Sequence, residues 1–226
     1  MPEFSVNLSL VKKSNMIPPS IRKKVIKNAR TRLQAIINKI ERATQLRFLP
    51  RIKVVPFALV RDPIIDLGLI TTSAFEDRIG YVIFLSAPAL LFVDDDTLTC
   101  HILDLFIDYV IMSATELFRL NINPHERGAL LADTDLRLTV AKLLVKDERL
   151  LRAFHEYITN PAINQMAVDK IAREWLNKGY PGGWIDDLVD IRPGLPMMVD
   201  PDLAGKTGHE IALAIVRWLR EFRVEG

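Results

Sequence analysis

Apolar side chains recur every three or four positions from Ser20 to Leu46. Ile21, Val25, Ala29, Leu33, Ile36, Ile37, Ile40 and Ala43 fall on one face, which predicts a long amphipathic helix. The pattern then changes. "RIKVVPFALV" reads as a strand, which Pro56 assigns to a sheet edge because proline cannot donate to a ladder. "DLGLITTSA" is a second short strand, "EDRIG" a turn, and "YVIFLS" the clearest strand of the chain. From Asp94 onward the helical period returns. Asp94 to Asp96 place carboxylates where a helix begins, and an almost wholly apolar helix follows to about residue 114. "NPHE" at 123–126 has the spacing of a helix cap, predicting a helix to about Val145. "KDERLLRAFHEYI" makes another, and Asn160-Pro161 opens a third that runs to about Lys178. "GYPGGW" and "RPGLPMMVDPD" bracket an irregular segment before a last helix, "TGHEIALAIVRWLREF".

The order of elements predicts an α+β protein: a long N-terminal helix, a small sheet, a buried helix and a helical C-terminal region. Residues 1–145 form the α+β unit and residues 146–226 a helical extension packed on it, or both form one continuous domain. A chain of 226 residues has room for a substantial core, and 49% hydrophobic with 26% charged residues is ordinary globular composition. The longest apolar run is broken by Ser86 and Pro88 and ends in three aspartates, so no membrane contact is expected. No secretory leader is visible, and the single cysteine, Cys100, fits a reducing compartment; the expected location is the cytoplasm. Three glutamines in the whole chain are few, a scarcity that fits a heat-adapted source.

Charge changes the picture further. From Lys12 to Arg61 the only acid is Glu41, whereas from Asp62 to Glu126 two arginines face eleven acids. Either the two regions pack against each other, or the basic helix face, with Arg22, Lys23, Lys27, Arg30 and Lys39, meets a nucleic acid.

Several motifs fail on inspection. "LAGKTG" lacks the glycine a phosphate loop needs, since Asp200 stands in its place. "HEIAL" has Leu213 where a second zinc histidine belongs, and Thr207 with Glu210 has the spacing of a capping box. His101, His125, His155 and His209 are scattered, so a histidine zinc site is not expected. Cys100 and His101 are adjacent and point about 100° apart on a helix, a poor chelating pair.

The remaining candidate lies in "DDDTLTCHILDLFIDYVIMSA". Thr97, His101, Asp104, Asp108 and Thr115 make one narrow stripe on an otherwise apolar helix. The stripe faces solvent or lines a cleft. Carboxylates at i and i+4 come within roughly 6 Å, and a metal ion or a shared proton would relieve their repulsion.

The stretch "GYVIFLSAPALLFVDDDTLTCHILDLFIDYVI" resembles the strand, linker and active-site helix of gluzincin-type zinc peptidases. The likeness covers residues 20 to about 145 and rests on element order and apolar pattern. It implies a zincin-like fold in which "DLFID" occupies the HExxH motif. Asp104 and Asp108 then stand at the two histidine positions and Leu105 at the general-base glutamate, with His101 and Leu105 lining the cleft. The third ligand would be Asp135, with Asp133 or Glu126 as alternatives. Leu105 cannot take a proton from a metal-bound water. The expectation is therefore a catalytically inactive relative acting by binding or structure, with no cofactor, no zinc and another protein as partner. One alternative is a hydrolase holding Mg²⁺, Mn²⁺ or Ca²⁺ on Asp104, Asp108 and Asp135, since oxygen ligands suit those ions. The other is nucleic-acid binding through the basic helix.

Overall fold

The computed structural model describes residues 6–75, 78–117 and 133–185, with 213, 215–217 and 219 near the C-terminus. The expected cap at 123–126, the irregular segment at 192–202, the motif residues 203–212 and most of the last helix lie outside the described residues, as do Glu126, His125 and His209.

The architecture is α+β. After a short strand β1 (Val6–Asn7) and helix α1 (Ser9–Lys13), helix α2 runs over Pro19–Thr44. Its predicted apolar face is the buried one: Val25, Ala29, Leu33, Ile36, Ile37, Ile40 and Ala43 all enter the core. Gln45 in the left-handed conformation ends it, its N–H bonded to the carbonyl of Glu41.

The strands are β2 (Arg51–Val55), β3 (Ala58–Arg61), β4 (Ile64–Asp66), β5 (Gly68–Phe75) and β6 (Arg78–Ser86). They form a four-stranded sheet in the order β1-β2-β6-β5 and a small one in the order β4-β3-β7, where β7 is Gly182–Gly183. Here the structure corrects the reading of "RIKVVPFALV". Pro56 does not sit inside one edge strand. It separates two strands of different sheets, and β2, ending at Val55, pairs in parallel with both β1 and β6. A proline just past a strand removes no ladder donor, so β2 is free to be central.

Period-2 alternation gives this sheet two apolar faces. Ile52, Val54, Ile83 and Leu85 face the main core with α2, whereas Val55, Val82 and Phe84 join a second cluster with Phe57, Leu59 and Ile185. β6 leads into helix α3 (Ala87–Phe92), which was not foreseen; Ser86 caps it by accepting from the Ala89 N–H, and Pro88 sits in its first turn. Helix α4 follows over Asp95–Leu117, with the Asp94 carboxylate accepting from the Thr97 N–H. By length and composition α4 is apolar enough to cross a membrane between Asp95 and Ala114, but 83% of that window is buried. Its hydropathy is that of a core helix.

Of the helix expected from Asn123 to Val145 only the part from residue 133 lies among the described residues, and it is not continuous there. Helix α5 runs over Thr134–Leu144, and extended Asp133 caps it by accepting from the N–H groups of Asp135 and Leu136. Helix α6 (Glu148–Thr159) is capped by Asp147, and helix α7 (Pro161–Glu174) by Asn160. A 3₁₀ turn at Leu176–Lys178 completes the run predicted to Lys178. One core cluster takes side chains from α2, α4, α5, α6 and α7, including fully buried Phe154, Ile171 and Trp175.

Candidate functional site

Helix α4 carries His101, Asp104 and Asp108 on one side, and all three are buried, at 9%, 7% and 6% exposure. The stripe is thus neither solvent-facing nor open. It is covered by the first turn of α5 and by α6. Thr97 is half-buried at its end.

Arg137, in the first turn of α5, reaches across to both aspartates. Its Nη1 lies 3.1 Å from Asp104 Oδ2, and its Nη2 donates to Asp108 Oδ1 and Oδ2 at 2.9 and 3.0 Å. A guanidinium meets the repulsion between the two carboxylates one turn apart. The compensation is incomplete, since one positive charge serves two negative ones. Asp108 has both oxygens bonded, whereas Asp104 Oδ1 and Arg137 Nε are buried without a hydrogen-bond partner among the described residues. Burial pushes the Asp104 carboxyl up to about 7 against the pull of Arg137, with Asp108 adding repulsion. Asp108 is raised too, by burial, against both the charge and the hydrogen bond of Arg137. For Arg137 burial opposes the charge, but the two aspartates outweigh it and its pKa is raised. The geometry and these directions agree: Arg137 pairs with both carboxylates, Asp108 is the better bonded, and Asp104 is the one more readily protonated.

One turn earlier, His101 is held at both ring nitrogens. Nε2 is 3.2 Å from the Gly68 carbonyl and Nδ1 is 3.0 Å from the Tyr157 hydroxyl. A carbonyl can only accept, so Nε2 carries the proton and the tyrosine donates to Nδ1. Burial lowers the His101 pKa to about 4, which keeps the ring neutral. Burial raises that of Tyr157, with Asp104 adding to it, which keeps the phenol a donor. Gly68 makes room for this contact: a Cβ there would lie 2.8 Å from the Phe84 carbonyl oxygen and 3.3 Å from His101 Nε2.

The other expected site residues are not brought together. Leu105 is buried at 6% among apolar side chains, so neither it nor His101 lines an open cleft. Asp135 is exposed on the outer side of α5, and Asp133 is spent on the cap. Among the described residues no group of three His, Cys, Asp or Glu side chains gathers as a metal site. The donors present do not fit the zinc that a gluzincin likeness implies, because a cation already occupies both carboxylates. Cys100 is buried and its thiol is pushed up to about 12, chiefly by burial, so it is unreactive.

No family model, curated protein or solved structure matches this chain. The likeness to gluzincin peptidases therefore rests on the quoted residues and their order alone.

Three participants escaped the sequence reading: Arg137, Tyr157 and Gly68. Arg137 left a faint signal. "DTDLRL" puts a cation in the first turn of an Asp-capped helix, where the helix dipole disfavours it. A residue so placed has a partner elsewhere. Tyr157 and Gly68 left none, since each looks like any core tyrosine or strand-end glycine.

The basic face of α2 is divided. Arg32 pairs with Asp95 and donates to the carbonyls of Leu90 and Val93, the first at 2.9 Å, and Lys39 lies 3.6 Å from Asp96. The packing of the basic region against the acidic one is thus partly realised. Lys23, Lys27 and Arg30 are exposed, while Arg22 is half-buried and donates to the Lys12 carbonyl at 3.3 Å.

Proposed function

We propose that this protein acts by binding, and that the zincin-like segment centred on α4 is a structural element without peptidase chemistry. The observation that carries this reading is Arg137 seated on both carboxylates, at the positions the resemblance gives to zinc ligands. A guanidinium offers only donors, polarises no carbonyl in a closed helix interface and generates no hydroxide. Leu105 at the general-base position is packed in the core, which supports the same reading. The all-carboxylate hydrolase is not adopted, because Asp104 and Asp108 are committed to Arg137 and Asp135 points to solvent.

The test is metal analysis of protein purified without added metal, together with a peptidase assay and thermal shift in Zn²⁺, Mg²⁺, Mn²⁺ and Ca²⁺. The expected outcome is substoichiometric metal, no peptide cleavage and no ion-specific stabilisation. One equivalent of zinc, or cleavage abolished by Asp104→Asn, would overturn the proposal.

A further inference from the structure

The exposed face of α2 and the adjoining end of α1 carry a block of positive charge that no acid among the described residues neutralises. Lys23, Lys27 and Arg30 lie within an arc of about 60° at 100° per residue, spread over roughly 10 Å of helix axis, with Lys24 on the flank. All four are exposed, as are Lys12 and Lys13. The bond from Arg22 Nη1 to the Lys12 carbonyl brings the α1 lysines beside the start of α2. Among the described residues, none of these six cations forms an ion pair with a carboxylate. The acids at the start of α4 go instead to Arg32 and Lys39, on the far side of the helix.

This arrangement works against the helix that bears it. The first turn of α2 contains no acid, and Pro18 supplies no side-chain cap. Arg22 stands in that first turn, where the dipole is already positive, and Lys23, Lys27 and Arg30 repel one another about one turn apart, both of which cost helix stability. A polyanion laid along this face would relieve both effects.

We propose that this face binds the phosphate backbone of a nucleic acid. The inference rests on the reading that the protein acts by binding, and names the surface and the partner class. Two observations favour nucleic acid over an anionic membrane. The apolar residues of α2 are buried in the core, so the helix has no apolar face to insert between lipids, and exposed Met16 beside it is a single side chain. The charges also form a narrow row on a rigid helix, which suits a line of phosphates. A row of cations laid along phosphates reads no base edge, so binding is indifferent to sequence.

The experiment measures binding of the full chain to a labelled duplex DNA and a single-stranded RNA by mobility shift over a salt series. Vesicles of anionic phospholipid run in parallel. If about four phosphates are neutralised, log K should fall with log salt at a slope between about −3 and −4. The triple variant Lys23→Ala/Lys27→Ala/Arg30→Ala should lose at least tenfold in affinity and most of that slope. The control Arg149→Ala/Arg152→Ala, on exposed positions of α6, should change neither. No binding at low salt, equal loss in the control, or binding to vesicles but not to nucleic acid would overturn the proposal. None of these variants touches Arg137, so failure here is distinct from failure of the metal and peptidase tests.

Discussion

Asp104 and Asp108 sit one turn apart on the same helix, yet they share Arg137 unequally, and that inequality is measurable. Removing Arg137 leaves two buried carboxylates without a cation, so Arg137→Met should cost about 3 kcal/mol or more in denaturant unfolding. Asp108→Asn breaks the better-bonded pair and should cost more than Asp104→Asn, which replaces a carboxyl that has one unpartnered oxygen and readily takes a proton. An equal cost for the two asparagine variants would mean the charge is shared symmetrically. The pH dependence separates Asp104 from His101. A carboxyl raised to about 7 binds its proton in the folded state first, so its stabilisation is complete below pH ~4 and is lost as pH rises through 7. An imidazole lowered to about 4 has the opposite sign: its contribution is present above pH ~6.5 and is lost on acidification towards 4. In the parent the two slopes oppose each other. His101→Gln should therefore lose stability relative to the parent as pH increases from 4 to 7. Asp104→Asn should gain relative to the parent over the same interval, and slopes of the same sign would refute the assignment.

At the scale of elements, the network depends on where helix α5 starts and where strand β5 starts. Asp133 fixes the first turn of α5, and with it the approach of Arg137 four residues later. Asp133→Ala should cost about 1 kcal/mol as a lost cap, with Asp133→Asn largely restoring it, since an amide oxygen caps equally well. A cost confined to a few tenths would show that tertiary contacts, not the cap, hold the helix start. Gly68 sets the other boundary. A methyl group there meets the backbone oxygen of Phe84, which cannot move without disturbing the β5–β6 pairing. Gly68→Ala should destabilise by more than about 1 kcal/mol and push the strand end away from His101. The lost carbonyl contact should appear in NMR as a changed Nε2 environment, and an unchanged ring would show that the contact is dispensable.

The whole molecule is held by a core that does not stop at residue 145. Leu150, Phe154, Ile171 and Trp175 belong to the same buried cluster as α2 and α4, and the Lys146 N–H donates to the Ala43 carbonyl at 2.7 Å. A chain ending at residue 145 would expose the side of α4 that α6 covers and lose the Tyr157 hydroxyl from His101. Such a truncation should unfold without a cooperative transition, in contrast to the intact chain. A sharp transition in the fragment would instead establish residues 1–145 as an independent domain.

Periodicity and caps were legible in the sequence because they depend on neighbours within a few positions. The buried face of α2, the strand "YVIFLS", and the starts at Asp147 and Asn160 all come from such local rules. So does the placing of His101, Asp104 and Asp108 on one stripe, which a helix of 3.6 residues per turn guarantees. Local rules misread "RIKVVPFALV", where Pro56 separates two sheets, and they missed α3, whose start depends on how β6 ends. What meets the stripe was beyond their reach. Asp108 and Arg137 are 29 positions apart, His101 and Tyr157 are 56, and no spacing rule couples residues so distant. The sequence thus determined that two carboxylates would face one way along a buried helix. Only the tertiary packing of α5 and α6 decided that a guanidinium and a phenol would meet that side, because burial in common is what selects a charge partner.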